Sequence, residues 1–310
     1  MNSETGHGSI VLVALDGSPA AATAIPLARA VATQLDAVLE VLFIGERPAS
    51  TERLRAHLGL TAYTTTDIAL RTDVGDPAEV LLRRAADPHV AVVVLTTHGR
   101  EVEGGARLGR VAEQVAAYTE QPILLVRPEV ASRWEQDGRG LRRLLLPMDG
   151  TPTTAAVLRP ATKLCGQLHA TIDLLYVSTP DVHAPGEPGS LGAPRYVDAP
   201  QHEWPQWANE VLDRLLTNCA FCPSDVEVHA YLARGDAGRE IVRFATAHDH
   251  DAIVVARRSR LEPGRAATLR RILRQAPCPI LLVGTDKHAS PKARDIAEAE
   301  ANLPEANLAG

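Results

Sequence analysis

The sequence predicts an α/β protein made of two tandem domains, each a doubly wound sheet of five parallel strands of the Rossmann-like class. Apolar runs of strand length alternate with helical patterns along the chain, and the complete order occurs twice. The strand runs are nearly continuous Val, Ile and Leu, which is typical of parallel strands covered by helices on both faces. Each half is therefore expected to read β-α-β-α-β-α-β-α-β.

The composition is that of a globular protein without a membrane span. The 310 residues suffice for two domains, and the net charge of −6 argues against a nucleic-acid-binding protein. No apolar run reaches the length of a transmembrane helix, and the N-terminus lacks a signal-peptide core. Four cysteines do not make a disulfide framework in such a chain. We therefore expect a cytoplasmic protein that contacts neither nucleic acid nor membrane.

The first strand of each half runs into the same turn. The apolar runs "IVLVAL" and "LLLPM" are followed by Asp16 and Asp149, then by Gly, a hydroxyl residue and Pro. Ser18 and Thr151 suit the N-cap of the next helix, and the Pro suits its first turn. The pattern predicts a strand, a tight turn and a helix in both halves.

The later elements also occur as pairs. The matching segments are 37–44 with 170–177, 69–85 with 229–245, 90–95 with 251–256, and 121–126 with 278–283. These matches set the predicted domains at 1–127 and 141–284, with a polar linker at 128–140 and a tail at 285–310 that we expect to be mobile. The second half has an additional Pro- and Gly-rich loop at 178–205.

The predicted ligand site lies beyond the carboxyl ends of the strands, where the strand order switches. The first strands bring Asp16 and Asp149 to this edge, and the fourth strands bring 96–99 and 256–259. A carboxylate there can accept a hydrogen bond from an adenine amino group or a ribose hydroxyl. Backbone amides at the start of the next helix would face phosphates.

Both halves resemble the universal stress protein domain. The resemblance rests on "LVALDGSPAAATAI", "VGDPAEVLL", "VVVLTTHGR", "LGRVAEQV" and "QPILLVRP", with weaker counterparts in the second half. It covers the chain apart from the linker and the tail. The chain is thus identified as similar to a tandem universal stress protein, which implies the adenine nucleotide alpha hydrolase-like variant of the Rossmann-like fold.

The nucleotide-binding members of that family share the pattern G-x-x-G-x(9)-G-[ST]. In the first half the four marker positions hold Thr96, Gly99, Gly109 and Arg110, so two glycines are kept. Thr96 adds a side chain where the backbone should approach phosphate, and Arg110 replaces a hydroxyl by a permanent charge. We interpret the loop as a weakened phosphate site.

The resemblance also implies that Asp16 and the backbone of Val41 contact the base. Each candidate has a structural alternative. Asp16 suits a turn through local hydrogen bonding alone, Val41 reads as any apolar strand residue, and Gly99 and Gly109 suit turns. The implied ligand is ATP or AMP, bound weakly and not required.

The second half has lost this pattern. Its marker positions hold Ala256, Ser259, Ala266 and Ala267. What remains is positive charge, with seven arginines against one glutamate at 257–274. The arginines that could hold an anion are Arg257, Arg258, Arg260 and Arg265. The alternative, favoured because charge clusters are common on helices, is a solvated face or ion pairs to the first half.

Three further features leave their roles open. Cys219 and Cys222 form a CxxC pair that suits a redox pair, half of a zinc site or, as we favour, reduced structural thiols. His98 either touches a phosphate or faces solvent, and the second reading is favoured. No metal-ligand set or acid/base pair recurs in both halves, so no residue is nominated as catalytic.

Three functions therefore compete. The first is a non-enzymatic stress-response protein that acts through dimerisation and partner contacts, and the second is an ATP- or AMP-binding switch with one site in the first half. The third is a slow adenine-nucleotide hydrolase. The degenerate loops favour the first. The final strands, 121–126 and 278–283, resemble those through which family members pair, within the chain or between chains, so a homo-oligomer is expected.

Overall fold

The computed structural model describes residues 8–45, 50–57, 68–97, 108–137, 139–178, 226–257 and 263–284. The strands are β1 (Ile10–Leu15), β2 (Val38–Gly45), β3 (Ile68–Val74), β4 (Val90–Thr96), β5 (Ile123–Val126), β6 (Arg143–Met148), β7 (Thr171–Ser178), β8 (Val228–Arg234), β9 (Ala252–Arg257) and β10 (Ile280–Gly284).

The helices cover both faces of the strands. They are α1 (Pro19–Ala22), α2 (Ala24–Gln34), α3 (Thr51–His57), α4 (Pro77–Ala85), α5 (Arg110–Tyr118), α6 (Pro128–Asp137), α7 (Pro152–Ala155), α8 (Leu158–Leu168), α9 (Ala237–Ala247) and α10 (Pro263–Gln275). None of the helices in the described ranges is both long and apolar enough to span a bilayer.

All ten strands form one sheet in the order β3-β2-β1-β4-β5-β10-β9-β6-β7-β8. Neighbouring strands within each half are parallel, which confirms the predicted α/β fold in two tandem halves. The order switches between β1 and β4 and again between β6 and β9. The predicted ligand edges therefore lie at these two switch points.

The two halves meet along their final strands. β5 and β10 pair in antiparallel fashion, with Leu125 opposite Ile280 and Ile123 opposite Leu282. Of the two alternatives from the sequence, the structure thus has the pairing within one chain. Pairing of the same strands between chains stays a prediction, and it would require β5 and β10 to separate.

The two apolar layers on either side of the sheet each run across both halves. One layer joins Leu27 and Val31 of α2 to Leu164 of α8, together with Trp134 of α6. The other joins Val80 and Leu81 of α4 to Ile241 of α9. Each face of the sheet therefore carries a core shared by the halves.

The segment predicted as a polar linker is the helix α6. Trp134 and Ala131 are buried, and the helix packs on α2. Arg133 Nη2 of this helix lies 2.7 Å from Asp249 Oδ1, and Arg139 Nη2, just beyond the end of the helix, lies 3.2 Å from Asp249 Oδ2. The helix thus bridges an apolar surface of the first half and an acidic turn of the second.

Gln34 at the end of α2 joins the halves by side-chain hydrogen bonds. Its Nε2 donates to the carbonyls of Leu141 and Leu168, at 3.0 Å each, and its Oε1 accepts from the amide of Leu141 at 2.7 Å. Gly140 leaves room for this amide, since a Cβ there would lie 1.9 Å from Gln34 Oε1.

A buried carboxylate occupies the same place in the second strand of each half. Glu40 lies opposite Leu12, and Asp173 lies opposite Leu145. Arg71 and Arg84 hold Glu40 at 2.9 Å and 2.6 Å. Both copies of the repeat therefore carry a buried carboxylate at the same position of their second strand.

Asp173 has different partners from Glu40, and only His229 lies on the counterpart of a strand that supplies a partner to Glu40. Arg143 Nη2 lies 2.7 Å from Asp173 Oδ2, His250 Nε2 lies 2.9 Å from the same oxygen, and His229 Nδ1 lies 3.2 Å from Oδ1. Burial alone would raise the pKa of Asp173, but the His250 hydrogen bond and the charge of Arg143 outweigh it. The net pKa lies below the ordinary carboxyl value.

Two cysteines lie in the described core. Cys165 and Cys278 are free and buried, and burial raises the pKa of each thiol to about 12. The pair Cys219 and Cys222, most of the loop 178–205 and the tail 285–310 lie outside the described residues.

Gln34→Ala should lower the free energy of unfolding by roughly 1–3 kcal/mol, because it leaves the amide and carbonyl of Leu141 without their partner. Chemical denaturation of the full chain measures the change. Thr33→Ala is the matched control, since Thr33 is exposed on the same helical turn. Equal stability of both variants would contradict a role for Gln34 in joining the halves.

Asp173→Asn should lower the free energy of unfolding at neutral pH by about 3 kcal/mol, because Arg143 loses its buried counter-charge and His250 loses a carboxylate partner. In the wild type, ionised Asp173 makes its full contribution to the free energy of unfolding at pH values above 3.8, the ordinary pKa of the carboxyl group. This contribution is lost as the pH falls through the lower pKa that Asp173 has in the folded protein.

Denaturation midpoints measured over a series of acidic pH values test this pH dependence. The difference in denaturation midpoint between wild type and Asp173→Asn should become smaller towards the lowest pH. Asp36→Asn, at an exposed left-handed position with φ 48°, is the control and should change little. A gap that stays constant with pH would contradict the account.

Candidate functional site

The carboxyl edge of the first half brings Asp16 and Thr96 together. Asp16 follows β1, Thr96 ends β4, and these strands are neighbours where the strand order switches. The sequence predicted this juxtaposition. The structure places both residues at the edge where open α/β sheets bind ligands.

Asp16 also shapes the turn in which it lies. Its Oδ1 accepts a hydrogen bond from the amide of Ser18 at 2.8 Å, and Gly17 adopts φ 79°. Ser18 Oγ then accepts from the amide of Ala21 at 3.1 Å and caps α1. Asp16 thus has a structural role whether or not a ligand reaches it.

Asp149 shapes the equivalent turn of the second half more fully. Its Oδ1 accepts from the amide of Thr151 at 3.1 Å, from Thr151 Oγ1 at 2.6 Å and from Thr154 Oγ1 at 2.8 Å. Gly150 adopts φ 77°, a conformation that favours glycine. This carboxylate is held by its own turn.

Val41 does not reach the edge. It lies inside β2, fully buried, opposite Val13 on one side and Leu70 on the other. The residue of β2 that lies level with the end of β1 is Phe43, which is opposite Leu15. The strand continues to Gly45, so the backbone available to a ligand begins beyond Val41.

Gly109 is tied to the end of β4. Its amide donates to the carbonyl of Thr97 at 2.9 Å, and the amide of Thr97 donates to the carbonyl of Val126 at 2.9 Å. Gly109 is the N-cap of α5 with φ −60°, which other residues adopt as well. The backbone geometry therefore does not require glycine here. Gly99 and His98 lie outside the described residues.

Arg110 turns towards α4. Its Nη2 lies 3.4 Å from Asp76 Oδ2, and its side chain is 63% exposed. Asp76 caps α4 by accepting from the amides of Ala78 and Glu79, and the Glu79 amide is the main cause of its lowered pKa. A long, exposed pair of this kind is weak, so Arg110 can leave it.

Arg257 is the one predicted anion-binding arginine whose side chain is described. It ends β9, is half-buried and lies over Gly284, where a Cβ would be 2.8 Å from its Nη2. Burial lowers the pKa of Arg257, and the charge of Glu120 in the first half opposes that shift. Anion binding by Arg257 and its ion-pair alternative both stay predictions. Arg258 and Arg260 lie outside the described residues, as does the side chain of Arg265.

The comparisons identify the family. The model of the universal stress protein family matches residues 9–127 and again residues 140–284. The chain belongs to the universal stress protein family. A search of curated proteins finds no significant match.

Solved structures agree with this family. A universal stress protein from Archaeoglobus fulgidus DSM 4304 is 12% identical, with a TM-score of 0.58, over 91% of this chain and 100% of that one. A protein of unknown function from Pseudomonas aeruginosa PAO1 is 14% identical, with a TM-score of 0.55, over 96% and 98%. A universal stress protein in complex with cAMP is 26% identical over 39% and 97%, with a TM-score of 0.33. The first two likenesses show the fold.

Tyr176 is an edge residue that sequence reasoning missed. It lies opposite Met148, as Phe43 lies opposite Leu15 in the first universal stress protein domain. Burial, together with the nearby charge of Asp149, raises the pKa of Tyr176. The signal was an aromatic residue at the same place in both second strands. Within the described ranges, no group of three or more His, Cys, Asp and Glu is arranged to hold a metal.

Asp149→Ala should lower the free energy of unfolding by roughly 1–3 kcal/mol, because the Thr151 amide and two threonine hydroxyls lose their acceptor. Thermal and chemical denaturation measure the change. Lys163→Ala, on the exposed face of nearby α8, is the control. Stability equal to the control would remove the structural role of Asp149.

Proposed function

We propose that this universal stress protein is a non-enzymatic regulatory protein, which acts through assembly and partner contacts. In this proposal adenine nucleotide binds weakly, in the first half only. The observation that carries it is that the marker groups at both edges are engaged within the fold. Asp16 accepts from Ser18, Gly109 donates to the carbonyl of Thr97, and Asp149 accepts from three donors.

Weak nucleotide binding follows from this engagement. A phosphate that used the Gly109 amide would displace its hydrogen bond to Thr97, and a base or ribose at Asp16 would share the carboxylate with the Ser18 amide. Because one hydrogen bond replaces another at Gly109, that exchange contributes about 1 kcal/mol or less. Thr96 and Arg110 stand at two of the marker positions in place of a glycine and a small hydroxyl.

The tandem architecture supports action through assembly. The strand pairing that joins β5 to β10 fixes two universal stress protein domains in one chain. We propose that this arrangement performs within the chain what pairing of two separate domains would perform. Further copies or partner proteins would then bind surfaces other than the final strands.

A second candidate is an ATP- or AMP-responsive switch. It is favoured by the meeting of Asp16 and Thr96 at the switch point of the first half and by the weak hold of Asp76 on Arg110. In that case Arg110 would leave Asp76 and pair with phosphate, which a permanent, flexible cation can do.

Isothermal titration of the full chain with ATP and with AMP separates the two. The regulatory proposal predicts dissociation constants near or above about 1 mM, which corresponds to about 4 kcal/mol. Asp16→Ala and Gly109→Ala should abolish any heat of nucleotide binding that the wild type still shows. Asp149→Ala, at the equivalent place in the second half, is the matched control and should leave the heat unchanged.

Two results would overturn the proposal. Micromolar binding that is lost in Asp16→Ala and Arg110→Ala but kept in Asp149→Ala would establish the switch. Turnover of ATP to ADP or AMP by wild type, absent from Asp16→Ala, would establish an enzyme.

A further inference from the structure

An open groove lies between the edge strand β3 and helix α4, away from the carboxyl-edge crevice. Its volume is about 540 Å3. Five charged residues line it: Arg71, Asp73, Arg83, Arg84 and Asp87. The groove thus has the size of a small-molecule site, and it shares no residue with the predicted nucleotide site.

The lining carries charges of both signs over an apolar base. Leu42 and Val80 are buried core residues. Arg83 Nη2 lies 2.9 Å from Asp73 Oδ2, and Arg84 Nη1 lies 2.7 Å from Asp87 Oδ2. Hydrogen bonds from His89 are the main cause that lowers the pKa of Asp87 to about 2, so this carboxylate is ionised at neutral pH. The groove offers both cations and anions to a ligand.

Glu40 fixes the position of two of the arginines. It is buried beneath the groove, and it binds Arg71 Nε at 2.9 Å and Arg84 Nε at 2.6 Å. The bond from Arg71 uses only its Nε, which leaves the outer edge of the guanidinium towards solvent, and its side chain is 62% exposed. A guanidinium held in this way is oriented before a carboxylate arrives.

The equivalent place in the second half is built differently. Tyr231 lies opposite Leu175, as Arg71 lies opposite Leu42, and Phe244 follows the α9 cap at the same interval as Arg84 follows the α4 cap. The rings of Tyr231 and Phe244 pack with centroids 4.9 Å apart.

The two aspartates of the groove are also replaced in the second half. Ala233 and Ala247 stand at the places of Asp73 and Asp87, and only Arg83 has a charged counterpart, Arg243. The repeat has thus kept its fold in both halves while the charged groove is present in the first. The charges of Asp73 and Asp87 are thus not needed to build this part of the fold, whereas Arg71 and Arg84 also compensate the buried Glu40.

We propose that the groove binds a small zwitterion, an α-amino acid with an apolar side chain. Its carboxylate would pair with Arg71 and Arg83, its ammonium with Asp73 or Asp87, and its side chain would lie against the small apolar surface that Leu42 and Val80 leave in the groove. The three arginines balance Asp73, Asp87 and Glu40, so a ligand of zero net charge matches the lining better than an anion does. The exposed Arg83–Asp73 pair is weak enough to exchange with such a ligand.

Calorimetric titration of the full chain with L-leucine tests the proposal. The expected result is saturable binding of one molecule per chain. Two analogues dissect it: 4-methylpentanoate lacks the ammonium, and 3-methylbutylamine lacks the carboxylate. Each should bind at least about tenfold weaker, since each leaves one sign of charge in the groove unpaired.

Matched variants assign the binding to the groove. Arg83→Ala should weaken leucine binding at least about tenfold, whereas Arg243→Ala, at the equivalent place on α9, should not change it. Both side chains are exposed to the same extent, 68% and 67%, so neither variant should unfold the protein.

Several outcomes would overturn the inference. Two of them concern leucine and its analogues: no saturable heat with millimolar leucine, or equal binding of leucine and of either analogue. The third is an equal effect of Arg83→Ala and Arg243→Ala, and the fourth is tighter binding of inorganic phosphate than of leucine. Failure of nucleotide binding has no bearing on this result, because the two sites share no residue.

Discussion

The antiparallel pairing of β5 with β10 is the constraint on which the arrangement of this chain depends. Ile123, Leu125, Ile280 and Leu282 are buried on a seam that turns two parallel sheets into one. Because helices cover both faces, these strands contain only apolar side chains and have no solvent-facing side. Separating these two strands would expose two apolar strand edges at the centre of the molecule. Further contacts between the halves surround the seam and come from the two shared apolar layers, from Gln34 and from α6.

The buried carboxylates show how far the halves have diverged without a change of fold. Glu40 and Asp173 occupy one place in the repeat, but arginines from β3 and α4 neutralise the first, while Arg143 neutralises the second and two histidines contact it. Aromatic rings stand in the second half at the places of Arg71 and Arg84. The requirement is that the buried charge be compensated, not that a particular side chain do so.

The periodic features were predictable from the sequence, and the contacts between distant segments were not. Apolar runs and turn chemistry predicted the strands, the Ser18 cap and the placement of Asp16 and Thr96 at one edge of the sheet. The partner of Arg110 and the contacts of Gln34 depend on where separate elements pack, which no local pattern encodes. Val41 was placed too close to the edge because a continuous apolar run does not show which residue is level with the neighbouring strand end.

Amide hydrogen exchange of the intact chain tests the central claim most directly. If β5 and β10 pair within the chain, the amides of Leu125 and Ile280 should exchange as slowly as those of Leu12 and Leu145 in the interior strands, at every protein concentration. Rapid exchange along β5 and β10 would contradict the account. Protection that appears only as the concentration rises would contradict it as well, since it would assign the pairing to separate chains.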